Sequence, residues 1–414
     1  MQISKLSAHK SHAQPSSVLA FIALFVLVAL LAIPRTVAQP SYVAPPGDAP
    51  ASAGPLAHLS AKVTRPNLAK AIKLVADWQL DRMPAIAQDD WTWAALYDGF
   101  MAIPDSVAGD KYKQAMLRIG EQLHWQPGPH VMLADDLAVG QMYLEQYFLH
   151  KDPKMLDPMR ARLDKEMAIP ESEWITTPVS WWDDSHYAQT PLWWWCDALF
   201  MAPPVFADMY KATGDPRYLA FMAHQWTLTT DLLYDRNVHL YSRDASFLEL
   251  HGKNIYQFEK NPQKVFWSRG NGWVMGGIVR VLQKLPADSP YRPQFVKLLK
   301  QMSAEMLSIQ GKDGLWRSSL LDPAAYPLPE ISGSAFITYA MAYGVNHGIL
   351  DRTTYWPAVK KAWAGMLKHV YADGRLGCIQ PEAAAPGPYS KTSSYVYGVG
   401  AYLLAGSEIY QGVK

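Results

Sequence analysis

Hydrophobic and polar positions alternate along this chain in two rhythms. The fast one is helical. In residues 293–309, Phe295, Leu298, Leu299, Met302 and Met306 recur at spacings of three and four, while Lys297, Lys300 and Glu305 fall elsewhere. That spacing predicts a helix with one wet face. The slow rhythm is a change of kind. Charged amphipathic segments at 66–80, 110–124, 153–167, 216–233, 293–309 and 355–369 alternate with nearly uncharged, glycine- and aromatic-rich ones at 91–103, 136–150, 197–212, 272–285, 334–350 and 394–410. The second kind predicts helices buried on every side, and Gly276-Gly277 and Gly398/Gly400 predict close helix contacts there. Six wet–dry hairpins form a weak internal repeat. An all-α (α/α)6 barrel, with a dry inner ring and a wet outer one, accommodates them. A linear solenoid is the rival arrangement, but it asks for more uniform repeats and polar end caps. Residues 171–190 and 234–266 break the pattern and read as long functional loops, with the stretch from His239 to Ser242 as the edge of a short strand pair.

Each dry segment opens on unusual polar or aromatic residues: Trp91-Thr92-Trp93, Asp135-Asp136, Cys196-Asp197, Arg269-Gly270-Asn271-Gly272-Trp273, Ser332-Gly333-Ser334 and Thr392-Ser393-Ser394-Tyr395. Antiparallel hairpins would bring all six openings to one rim. Helix N-termini carry free N–H groups and partial positive charge, so that rim favours an anionic ligand, and Arg269 adds to the bias.

Composition narrows the class. The net charge is +1, which gives no footing for a nucleic-acid partner. The 16 Trp and 22 Tyr residues lean toward a carbohydrate ligand, since flat rings suit sugar faces. The two cysteines, Cys196 and Cys378, form neither a metal-ligand spacing nor a disulfide framework. They read as small buried hydrophobes, with one long-range disulfide as the alternative. No cofactor or metal site is expected. Residues 1–38 resemble a secretory signal: Lys5 and Lys10 precede an apolar run from Val18 to Ile33, and Thr36-Val37-Ala38 supplies small residues for cleavage. That run is 16 residues, short of the roughly 20 needed to span a bilayer. An exported protein without a stable membrane partner is therefore expected, an uncleaved anchor being the alternative. Residues 39–64 read as a flexible lead-in, and residues 65–414 as a single barrel domain. Oligomeric state is left open.

Among the rim residues Asp197 is the sharpest candidate. It follows three tryptophans, and no Lys or Arg occurs between Glu166 and Tyr210. A carboxyl among such neighbours has a raised pKa and can donate a proton near neutral pH. The plain alternative is a helix N-cap, and the same alternative applies to Asp135 and Asp136. Two adjacent acids where one cap suffices leave the other free, so Asp136 is expected as a base or a hydroxyl ligand. Arg269 offers a bidentate fork for a carboxylate, and Trp273, one turn on, a stacking face. Of Trp91 and Trp93, one belongs to the core.

The strings Asp135-Asp136-Leu137-Ala138-Val139-Gly140-Gln141, Trp195-Cys196-Asp197-Ala198-Leu199-Phe200-Met201-Ala202-Pro203-Pro204, Phe266-Trp267-Ser268-Arg269-Gly270-Asn271-Gly272-Trp273 and Ser332-Gly333-Ser334-Ala335-Phe336 resemble glycoside hydrolase families 88 and 105, the second more closely. The similarity runs from about Asn67 to Tyr410. It implies the (α/α)6 barrel and a hydrolase that hydrates the double bond of a terminal 4,5-unsaturated uronic acid left by polysaccharide lyases, with pectin or rhamnogalacturonan fragments as substrates. By position the resemblance makes Asp197 the acid/base and Asp136 a second catalytic-site aspartate. Trp93, Asp135, His186, Arg269, Trp273, Ser332 and Ser334 become substrate-binding residues. One departure stands out. Where many members carry a substrate-contacting histidine, this chain reads Tyr241-Ser242-Arg243-Asp244, with His251 further on, so that Arg243 or Asp244 takes its place. Two rival functions remain at this stage: a conventional inverting glycosidase using a separated carboxylate pair, and a glycan-binding protein without catalysis.

Overall fold

The computed structural model describes residues 44–171, 173, 192–248 and 258–413. Fourteen α-helices lie in this part: α1 (Arg65–Leu80), α2 (Trp91–Ala102), α3 (Asp105–Ala108), α4 (Lys111–Gln122), α5 (Gly140–His150), α6 (Asp157–Met167), α7 (Ala198–Met201), α8 (Pro203–Thr213), α9 (Pro216–Leu233), α10 (Ser268–Leu282), α11 (Arg292–Ser308), α12 (Ile331–Asn346), α13 (Arg352–Leu367) and α14 (Val396–Gly412). Helices α2, α5, α7/α8, α10, α12 and α14 form an inner ring that closes where α14 packs on α2. Helices α1, α4, α6, α9, α11 and α13 lie between them in sequence and form the outer ring. This is the (α/α)6 barrel that the two rhythms predict.

Burial follows the two kinds of segment. Every residue of α10 is buried, and so is α12 from Ile331 to Val345. In α11 the buried residues include Phe295, Leu298, Leu299, Met302 and Met306, the stripe read from spacing. The inner helices meet at glycines. A Cβ on Gly277 would sit inside the Leu199 carbonyl, and one on Gly400 inside the Ala95 carbonyl, so both positions accept only hydrogen.

Caps and prolines set the boundaries. Asp90, Asp215 and Asp351 accept hydrogen bonds from Thr92 N, Arg217 N and Thr354 N at the starts of α2, α9 and α13. Gly214, at φ 75°, ends α8 in the left-handed conformation. The segment expected as one helix over 197–212 is two, α7 and α8, joined at Ala202. Pro203 and Pro204 supply no N–H to continue the first. Helix α10 begins four residues earlier than the pattern suggests, at Ser268, which puts Arg269 in its first turn.

Two small antiparallel pairs serve as clips. β2 (Tyr234–Asp235) pairs with β3 (Leu240–Tyr241), the strand pair expected there. β1 (Gly47–Asp48) pairs with β4 (Ser394–Tyr395). The lead-in expected to be flexible is thus packed down from Ala44 onward. Ala44 N donates to Gln88 Oε1 (2.9 Å), Val396 N to Pro46 O (2.9 Å) and Ala57 N to Val370 O (2.8 Å), and Arg375 pairs with Asp48 at 2.6 Å. Its Pro-, Ala- and Gly-rich composition conceals these anchors, because backbone groups make most of them.

Candidate active site

At the N-terminal end of the inner ring a cavity of about 300 Å³ opens, with Asp135, Asp197, Arg243, Arg269, Trp91 and Trp273 among its walls. Four of the six openings contribute. A loop following α13 adds Glu382, Ala383 and Ala384, and Trp195, Met201 and Trp267 complete the lining.

Asp197 is 8% exposed. It precedes α7, yet its side chain makes no capping hydrogen bond, so the plain N-cap reading fails for it. The Cys196 thiol donates to Oδ1 at 3.5 Å, and Oδ2 lies 3.5 Å from Arg243 Nε. Burial pushes this carboxyl above the usual range, opposed by the guanidinium groups of Arg243 and Arg269. The rise expected from the sequence is present; the isolation from cations is not. Both arginines come from distant segments that folding brings to the acid.

The neighbouring acids exchange places with the expectation. Asp135 faces the cavity. Burial, with the charge of Asp197 adding and Arg243 opposing, pushes its carboxyl up to about 7. Asp136 turns away and accepts hydrogen bonds from the His130 backbone and, at 3.1 Å, from its ring. The reason is local. The pair lies in a 3-10 turn over Ala134–Leu137, where successive side chains point roughly 120° apart, so only one can face inward. The two tryptophans behave alike. With Asp90 capping α2, Trp91 takes the first position, and it lines the cavity half-buried while stacked on Tyr397 at 5.4 Å. Trp93, roughly 200° around the helix, is a core residue, 3% exposed. The place at the cavity expected for Trp93 is therefore taken by Trp91.

Arg269 is buried between rings, its guanidinium 4.3 Å from Trp267 and 4.8 Å from Tyr397. Nη1 donates to Gln380 O (2.6 Å) and Nη2 to Pro381 O (2.8 Å). Its fork, expected to hold a ligand carboxylate, already holds the loop that carries Glu382. Trp273 forms the cavity floor, 4.4 Å from Phe336 and 4.8 Å from Phe200. Ser332 and Ser334 are not at the cavity. Ser332 Oγ donates to Glu330, whose carboxylate also caps α12 through Ser332 N and Gly333 N, and Ser334 Oγ accepts from Trp316 N at 3.0 Å. Glu330 answers the positive end of α12 itself, which removes that helix from the anion-binding rim. His186 and His251 lie outside the described residues.

Arg243 follows β3 and is held from three sides. Its carbonyl accepts from Cys196 N (2.8 Å), and its Nη1 donates to Asp244 Oδ2 (2.7 Å). Asn271 clamps Tyr241 two residues upstream, accepting from Tyr241 N (2.8 Å) and donating to Tyr241 O (2.9 Å). Asp244 is fully buried and accepts from Ser246 N, so of the two residues flagged at the missing histidine only Arg243 reaches the cavity. Cys196 and Cys378 are both free and buried.

An aromatic-walled cavity holding three carboxyls of raised pKa, Asp135, Asp197 and Glu382, beside two arginines suits acid catalysis on a sugar. A family model, Glycosyl Hydrolase Family 88, matches residues 55–412. The chain belongs to this family. This family 88 enzyme is a glycoside hydrolase. A relative from Formosa agariphila, an unsaturated 3S-rhamnoglycuronyl hydrolase, is 39% identical over 352 residues, spanning 82% of this chain and 89% of its own. A solved family 88 glycosyl hydrolase from Bacteroides vulgatus superposes with a TM-score of 0.76 at 29% identity, covering 84% of this chain and all of the other. An unsaturated glucuronyl hydrolase specific for heparin shares the fold at a TM-score of 0.60 and 15% identity, over 83% of this chain and 97% of that one.

The loop residues Glu382, Ala383 and Ala384 were not legible beforehand, because the stretch has no periodicity and no motif. For Trp91 a signal existed: Asp90 as the cap fixes the phase of α2.

Proposed function

We propose that this family 88 enzyme removes the terminal 4,5-unsaturated uronic acid from lyase-generated oligosaccharides. Asp197 protonates C4 of the enol ether, and positive charge develops at C5. The resulting carboxylate then takes a proton from water, which adds at C5. The hemiketal opens and the next sugar leaves. No bond to the anomeric carbon is attacked directly. Asp135 holds ring hydroxyls, and Trp91 offers a face for the ring, with the buried Trp273 behind it.

One observation carries the reading: a nearly buried carboxyl, unused as a cap, stands in an aromatic cavity with a guanidinium beside it. The name of the Formosa relative supports an unsaturated glycuronyl substrate. Rhamnogalacturonan-type fragments contain the same unsaturated group and compete as substrates. The direct test is loss of the ultraviolet absorbance of the conjugated enol ether on lyase products of both kinds. A purified enzyme that leaves this band unchanged on every unsaturated uronyl oligosaccharide offered would sink the proposal.

A conventional inverting hydrolase is the second reading, favoured by Asp135 and Asp197 lining one cavity. It requires cleavage of saturated uronides, which hydration of a double bond cannot accomplish. For localisation, we propose export through residues 1–38. N-terminal sequencing of protein recovered outside the cytoplasm should start near Gln39, and recovery of a chain beginning at Met1 in the membrane fraction would replace the signal with an anchor.

A further inference from the structure

We propose that Arg243, rather than Arg269, receives the carboxylate of the uronyl ring, on the edge of its guanidinium formed by Nε and Nη2. This inference rests on the hydration reading above. Nη1 is tied to Asp244, while Nε is buried without a hydrogen-bond partner and Nη2 bonds to no described residue. Nε and Nη2 lie on one side of the planar group, and together they make the parallel N–H pair that binds a carboxylate through both oxygens. Arg269 also leaves its Nε unpartnered, but the Nη2 beside it donates to Pro381 O at 2.8 Å and its Nη1 to Gln380 O at 2.6 Å, so its side edge is half taken.

The position matches the chemistry. In a 4,5-unsaturated uronate, C4 and the carboxylate carbon are both bonded to C5. A carboxylate on the free edge of Arg243 therefore brings C4 toward Asp197, whose Oδ2 lies 3.5 Å from that same Nε. Charge agrees with geometry. A carboxylate arriving beside Asp197 disfavours a second negative charge there and so favours the protonated form of Asp197, the form that donates. Arg269, Asp244, Cys196, Asp135, Asp136, Asp90 and Glu382 are the other titratable groups around this site.

Arg243 is rigid enough for the task. Asp244 is itself fixed by Ser246, and Asn271 fixes the strand that carries Arg243. The side chain need not be ordered by substrate, which preserves affinity.

The experiment compares an unsaturated uronyl disaccharide with its neutral carboxyl methyl ester, in the wild type, R243Q and R243K. In the wild type the acid should have a KM lower than the ester by on the order of 10- to 100-fold, the value of a paired charge-assisted hydrogen bond. R243Q should erase this preference, bringing the acid-to-ester KM ratio close to one. R243K, which keeps the charge without the fork, should retain part of it. The acid-to-ester ratio is taken within each preparation, so a smaller folded fraction does not alter it. If both variants keep the wild-type ratio, Arg243 is not the carboxylate site, and the proposed reaction is untouched. If the wild type consumes neither compound, the proposed reaction itself fails.

Discussion

At the scale of single residues, Asp197 and Asp135 line one cavity, and two substitutions separate the roles proposed for them. D197N keeps the shape and the Cys196 contact but has no proton of suitable acidity to give. Its kcat, measured by the same absorbance assay on folded protein, should fall by on the order of 10²- to 10⁴-fold; near-normal turnover would remove Asp197 from the mechanism. Asp135 makes a pH prediction. Its carboxyl is pushed up to about 7 by burial, against about 4 in an unfolded chain. Below both values it is protonated in either state, and the folded form bears no cost. Between them the unfolded chain ionises first, so stability is lost as pH rises from about 4 to about 7. D135N does not share that loss. Melting curves at pH 4.5 and 7.5 should show D135N gaining on the wild type at the higher pH, and a gap independent of pH would mean that Asp135 ionises normally. Both acids were visible as a motif. Which of Asp135 and Asp136 faces inward was not, because the choice depends on the phase of a short 3-10 turn and on the loop at His130 that engages the other.

At the scale of elements, helix-to-helix contact is set by glycines. Gly277 of α10 packs against the backbone at Leu199, two residues beyond Asp197. A methyl group at this point meets a carbonyl that cannot rotate aside, so G277A should destabilise by about 1–3 kcal/mol and lower activity in the folded fraction by shifting Asp197. At Gly276 the added methyl meets ring atoms of Phe336 (2.9 Å) and Phe200 (3.1 Å). Rings can tilt, and G276A should therefore cost less. Denaturant midpoints of the two variants decide it; equal midpoints would show that the backbone approach is relieved elsewhere. The glycines were legible as contact sites from their place on dry segments. The break between α7 and α8 was readable in Pro203-Pro204 but was hidden by an apolar pattern that runs straight across it.

At the scale of the whole molecule, the barrel's interior carries charge far from the cavity. Arg280 lies eleven residues past Arg269 on α10, about 16 Å along the helix. It pairs with Glu145 (2.7 Å) and Asp98 (3.4 Å) and donates to Gln141 Oε1 (2.8 Å), while Lys284 pairs with Asp208 (2.7 Å). These residues sit on α2, α5, α8 and α10, with Lys284 two residues past the end of α10, so the network ties four inner elements together. Burial raises the Asp98 carboxyl well above its usual range despite Arg280, whereas Arg280 and Lys284 hold Glu145 below its own against the same burial. R280M leaves buried acids without their cation and should cost on the order of 3–5 kcal/mol. No network atom lines the cavity, so the KM of the protein that remains folded should not change. A large change in KM would show the network to be coupled to the site.

The sequence by itself determined the ring of helical hairpins, which ends of the inner helices carry the chemistry, and Asp197 as the acid to watch. Those properties follow from local periodicity and composition, and each is written within a single segment. Tertiary structure alone decided what stands beside that acid. Arg243 and Arg269 reach it from 46 and 72 residues away, the loop carrying Glu382 covers the helix whose serines were expected at the rim, and Trp91 supplants Trp93. Coulomb interaction and desolvation depend on separations of a few ångströms in space, and those separations have no counterpart in the order of residues along the chain.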